Sequence, residues 1–170
     1  MTATETPNGK TGSQMLDLYR AFDRLPLGKR LYDRAVCLKA PYFRSVRPRF
    51  VRLEPGRSEV LVRNRRAVRN HIGTVHAIAS CNAAELAGGS CLDASLPPTH
   101  RWIPKGMTVQ YLATAKTDIR ATATVEDLYG LAADEARDVV VSVDVKDESG
   151  VVAVHADITM WVSPRPSRQG

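Results

Sequence analysis

Reactive side chains that sit where neighbours could tune them are concentrated in one stretch, NHIGTVHAIASCNAAE, at residues 70–85. Glu85 closes a run of small apolar residues that includes Ala77, Ile78, Ala79, Ala83 and Ala84. A carboxylate buried among such neighbours is costly unless paired, and desolvation would lift its pKa toward the range of a general base. The alternative is a glutamate near a helix end whose head reaches water. Asn70, Gly73 and His76 precede it. Gly73 permits a tight turn, and the backbone N–H groups around His76 and Ala77 would project from a helix start, at the favourable end of the dipole. Donors fixed there could hold the negative charge that develops on a carbonyl oxygen during acyl transfer. Equally, His76 could cap the helix and Asn70 close the turn. Cys81 lies four residues before Glu85 and shares its face, but a nucleophilic thiol needs an aligned base, so it reads as a small core residue.

Positioning these groups requires a helix set against a larger frame. Residues 74–86 form that helix, with Gly88 and Gly89 expected to stop it. Its alanines surround it on every side, which predicts a central element wrapped by other structure. Residues 45–64 read as a hairpin around EPGR. Residues 108–115, 119–126, 139–145 and 152–162 alternate with period two, the last two strands joined across KDESG. The expectation is an α+β fold: an antiparallel sheet of five to six strands packed on one helix. Two shorter helices come first. Met15, Leu18, Tyr19, Phe22 and Leu25 form an apolar stripe over residues 14–25, and Leu27, Leu31, Ala35 and Leu38 form another over 27–39, before Pro41. They could cover the sheet, bind an acyl chain or lie on a membrane. The first dozen residues read as frayed, as do the last residues from Ser163, whose two prolines cannot continue a ladder.

At 170 residues and 18.7 kDa the chain suits a single domain spanning 1–170, with a helical extension at about 13–40 and a core at about 45–162. The net charge of +6 is unevenly spread: residues 39–69 carry +8 and residues 118–157 carry −7. A basic stretch facing a phosphate-bearing small molecule explains this polarity as readily as a duplex would, and no nucleic-acid-binding motif is present. Arg63, Arg65, Arg66 and Arg69 lie nearest to Asn70 and are the candidates to meet phosphate. Cys37, Cys81 and Cys91 make neither a zinc pair nor a complete disulfide framework, and the histidines are scattered, so no metal site is expected. The N-terminus has no basic n-region and no apolar h-region, and no segment approaches a membrane span. The expectation is a cytoplasmic protein with neither a nucleic-acid nor a membrane partner.

The spacing of Asn70, Gly73, His76, Ala77 and Glu85 resembles the signature of hotdog-fold acyl-CoA thioesterases of the phenylacetate-pathway type, and the chain is similar to the uncharacterised DUF4442 branch, which shares the two extra helices. Where that signature has a second glycine this chain has Ala77, whose N–H is retained. The resemblance implies hydrolysis of an acyl-CoA thioester to free acid and CoA, with Ala77 N–H as oxyanion donor, Asn70 or His76 fixing the carbonyl or a water, and Glu85 as general base or nucleophile. It implies a homodimer, or a tetramer of dimers, in which Glu85 comes from the partner. No cofactor is implied beyond the CoA of the substrate. A non-catalytic acyl-CoA or fatty-acyl binding protein on the same fold is the alternative.

Overall fold

The computed structural model describes residues 13–125, 128 and 131–166; the frayed start expected for residues 1–12 lies outside them. Helices α1 (Gln14–Asp23) and α2 (Gly28–Lys39) are followed by a 3₁₀ turn at Pro41–Ser45 and by strands β1 (Arg49–Glu54) and β2 (Arg57–Val62). Helix α3 (Ala77–Ser95) then crosses to β3 (His100–Tyr111), and β4 (Ile119–Thr124), β5 (Arg137–Asp147) and β6 (Val152–Pro164) complete one sheet. Its order is β1-β2-β4-β5-β6-β3, antiparallel throughout, wrapped on α3 as in the hotdog fold.

Period two does what it should. Val139, Val141, Val143 and Val145 are buried while Val140 between them is exposed, and Ala156, Ile158, Met160 and Val162 continue the same inner face on β6. Against this face lie Ala83, Ala84, Ala87, Cys91 and Leu92 of α3. The expected helix stop is corrected here. Gly88 and Gly89 lie within α3, which continues to Ser95. They are close-approach residues: a Cβ on Gly88 would meet Ile158 Cδ1 at 2.8 Å, and one on Gly89 would meet the Trp102 ring at 2.8 Å.

Three further expectations are revised. The N-terminal stripes are followed only in part: Tyr19 is buried and Met15 and Phe22 pack partly buried on the core, but Leu18, Leu25, Leu27, Leu31 and Leu38 are exposed, and Leu16 and Tyr32, outside the stripes, are buried. The strand expected from residue 108 begins at His100, and its first half escapes the periodic pattern because most of β3 is exposed. Pro164 closes β6 opposite His100, at a strand end where a missing N–H is tolerated.

The two N-terminal helices cover one edge of the sheet. Asp33 Oδ1 accepts the Phe50 N–H (2.9 Å), and Tyr19 Oη (3.2 Å) and Lys29 Nζ (3.1 Å) both donate to the Val51 carbonyl, at the bulge of β1. Tyr19, Tyr32 and Phe50 stack edge to face behind these bonds, with centroids 5.2 and 5.0 Å apart. The other edge, β3, has its neighbour β6 on one side and, among the described residues, no strand on the other.

Candidate functional site

Residues 69–76 form a tight loop that delivers the chain into α3. Asn70 organises it: its Oδ1 accepts from Ile72 N–H (3.2 Å) and Thr74 N–H (3.0 Å), and its Nδ2 donates to Thr74 Oγ1 (2.8 Å). Gly73 turns the chain at φ 85°, a left-handed conformation that a side chain would strain, while the space beside it is open. Of the two roles open to Asn70, closing the turn is the one seen, and it leaves one amide hydrogen of Nδ2 for any further contact.

His76 is the N-cap of α3, with extended backbone, and its Nδ1 accepts the Ile78 N–H at 3.1 Å. That bond needs an unprotonated Nδ1, so a neutral ring carries its proton on Nε2 and presents a donor to solvent. The cap satisfies Ile78. The Ala77 N–H, first in the helix, has no such partner among the described residues and lies at a half-exposed position. A donor at the positive end of a nineteen-residue helix is therefore available to an acyl oxygen.

Glu85 does not occupy the buried environment expected for it. It takes the other reading open to it and is exposed. It also stands eight residues along the same helix from Ala77, about 12 Å of rise, too far to serve a carbonyl held at its own helix start. Its face of α3 includes Ile78, 55% exposed, and Cys81, whose Sγ lies 3.4 Å from Tyr111 Oη. This face looks out beside β3. Met107 and Tyr111 pair with the buried Ile158 and Val154 and so point to the helix side of the sheet, yet they remain 39% and 58% exposed. Trp102, on the same side, packs on Gly89 and belongs to the core. Exposed apolar side chains and Glu85 thus lie on the helix side of the sheet near β3.

The four arginines expected to meet phosphate divide into two pairs. Arg69 is held by Asn64 (Nε to Oδ1, 2.8 Å), and Arg65 donates to the Ser45 carbonyl. Arg63 and Arg66 are exposed, and their side chains make none of the hydrogen bonds or ion pairs found among the described residues. The basic surface also extends beyond the band seen in the sequence, because Arg30 and Arg34 on α2 face the same cleft as Arg44, Arg47 and Arg49. Their i, i+4 spacing puts both on one face of α2, a signal carried by the sequence between the leucines.

The DUF4442 family model, a domain of unknown function, matches residues 28–162. A structural-genomics crystal structure is 45% identical and superposes with a TM-score of 0.75 over 91% of this chain and 99% of its own. The Pseudomonas aeruginosa protein PA5026, of unknown function and described as a probable thioesterase, is 25% identical with a TM-score of 0.72, covering 83% of this chain and 97% of its own. The Haemophilus influenzae thioesterase HI1161 shares the fold at 14% identity, with a TM-score of 0.65 over 76% of this chain and 87% of its own. No curated protein matches the sequence.

Proposed function

Since the chain belongs to the DUF4442 family, whose function is unassigned, we propose on the strength of its own site that it hydrolyses acyl-CoA thioesters as a dimer. The observation that carries this reading is the open Ala77 N–H at the start of α3, on a helix that also presents an exposed carboxylate beside an unpaired strand edge. The described proteins with the same fold include thioesterases, which supports the reaction class. Two copies joined along β3 would cover the exposed Met107, Tyr111 and Ile78 and remove the open edge. They would also bring Glu85 of the partner subunit toward Ala77, which the spacing on one helix forbids within a chain.

In this mechanism the thioester carbonyl accepts the Ala77 N–H, and the Nε2 donor of His76 helps hold the carbonyl or the water. Glu85 removes a proton from that water as its oxygen adds to the carbonyl carbon. The tetrahedral oxyanion is held at the helix start, and its collapse breaks the C–S bond, releasing CoA and the free acid. In the other route the Glu85 carboxylate adds to the carbonyl carbon, the C–S bond breaks to release CoA as its thiolate, which takes up a proton from water, and a second water opens the resulting mixed anhydride to the free acid and Glu85. Arg63 and Arg66, with Arg65 and Arg69 behind them, would meet the phosphates of CoA. The three free cysteines suit a reducing compartment, and we place the reaction in the cytoplasm. Among the described residues no helix is long and apolar enough to cross a membrane.

The test is turnover on a panel of acyl-CoA thioesters. Glu85→Gln should fold and associate like the parent and lose about 10²- to 10⁴-fold in kcat/KM, the range of a lost general base. Cys81→Ala should stay within a few-fold. Full activity in Glu85→Gln would end the carboxylate mechanism, and a parent that binds acyl-CoA without turnover would make the chain a ligand carrier.

A further inference from the structure

Between α2, the 3₁₀ turn and the start of β1 lies an open cleft of about 690 Å³. Arg30, Arg34, Arg44, Arg47 and Arg49 line it, with Asp33 as the single carboxylate. None of the five guanidiniums makes an ion pair or side-chain hydrogen bond among the described residues, whereas Arg52, Arg57 and Arg120 elsewhere all have glutamate partners. Asp33 offsets only part of this charge: its Oδ1 accepts the Phe50 N–H and Arg49 is near enough to interact with it without an ion pair, so the lining keeps an excess of positive charge. Five unpaired cations around one concavity repel one another and focus a positive potential on its interior.

Two further features mark the cleft as built for an anion. Arg47 has φ 51°, a left-handed conformation just past the 3₁₀ turn, where its N–H bonds to the Phe43 carbonyl. Glycine is the unstrained choice at such a position, so a guanidinium is kept there against backbone preference. Beside it, Arg65 Nε is buried with no hydrogen-bond partner, and desolvation together with Arg47 lowers the guanidinium's pKa.

We infer that this cleft binds the diphosphate of a nucleotide-type ligand. Its volume falls in the range of small-molecule sites, and guanidiniums supply the fork geometry that phosphate oxygens accept in pairs. The lining has no aromatic ring on which a base could stack, so recognition is through phosphate and tolerant of the base. A concavity of this size, with its arginines drawn from α2, the 3₁₀ turn and β1, suits a compact polyanion better than the long backbone of a nucleic acid. The ligand could be a free nucleoside diphosphate or the nucleotide end of CoA, and the inference does not rest on thioester hydrolysis.

Isothermal titration of the full chain at physiological salt with ADP, inorganic pyrophosphate, CoA and adenosine tests it. The first three should bind, more weakly as salt rises, and adenosine should not. Arg47→Gly should weaken ADP about tenfold or more, as expected for a lost charge-assisted bond, while the melting temperature stays level or rises because the left-handed residue is relaxed. Arg34→Ala with Arg44→Ala should weaken it about a hundredfold, and Arg20→Ala on α1 should leave it unchanged. CoA binding much tighter than ADP, and lost in the same variants, identifies CoA as the source of the diphosphate; equal affinities identify a free nucleotide. No binding of ADP or pyrophosphate, unchanged binding in Arg47→Gly and the double variant, or displacement of ADP by a short duplex at lower concentration would each overturn the inference.

Discussion

Asp33 ties α2 to the edge of β1 and does so at an electrostatic cost. Burial leaves it only 9% exposed and pushes its pKa up to about 6 from the ordinary 3.8, a rise that the Phe50 N–H and the nearby Arg49 and Lys29 only partly oppose. The folded chain therefore holds this proton more tightly than the unfolded chain. Its contribution to stability is full at low pH and is lost as pH rises from about 4 to 6. Asp33→Asn keeps an acceptor for Phe50 and removes the charge. Urea unfolding at pH 8 should find this variant about 1–3 kcal/mol more stable, with the difference gone below about pH 4. Glu85 shows the limit of reading a residue from its neighbours in sequence. The alanines around it are buried and it is not, because a helix half enclosed by its own sheet leaves one stripe free.

At the scale of elements, the contact between α3 and the sheet depends on the two glycines, which are not equivalent. Ile158 Cδ1 is the flexible tip of a side chain, whereas the Trp102 ring facing Gly89 is rigid. Gly88→Ala should change stability by less than about 1 kcal/mol, since gained helix propensity offsets a small shift of Ile158. Gly89→Ala should cost about 1–3 kcal/mol by overpacking, read as a lower urea midpoint at constant slope. Helical glycine was misread as a stop because local preference favours termination, and the reason for these glycines lies in β3 and β6, far away in sequence. Strands β4, β5 and β6 were legible because each buries one face. The first half of β3 was not, since Pro104 and Gly106 look like breakers and an exposed edge carries no burial rhythm. The leucines of α1 and α2 are exposed for a related reason: Tyr19 of the expected stripe does dock, but the side that meets β1 also takes Leu16, Tyr32 and Asp33, which turns Leu18 and Leu31 outward.

For the whole molecule, the sheet's two edges have opposite fates. Side chains from α1 and α2 reach the backbone of β1, whereas β3 has no second strand beside it among the described residues; on the pairing proposed above, light scattering should give a particle of at least twice 18.7 kDa. The sequence made the loop and helix start legible, because Asn, Gly and His act there through local backbone geometry. It could not place Glu85 relative to Ala77 in space, since in the proposed mechanism that relation depends on a second copy. The eight residues separating them on one rod now have a genetic consequence. Ala77→Pro should remove the donor and little else, because proline is welcome at the first helical position and His76 already has the extended backbone that proline demands of its predecessor. Ala77→Pro and Glu85→Gln should each be inactive alone. Unfolded together and refolded as an equal mixture, they should regain about one quarter of parental turnover, since half the pairs are mixed and each mixed pair holds one intact site. Two broken copies would then complement one another, and a mixture as inert as its parts would mean that each chain does its chemistry alone.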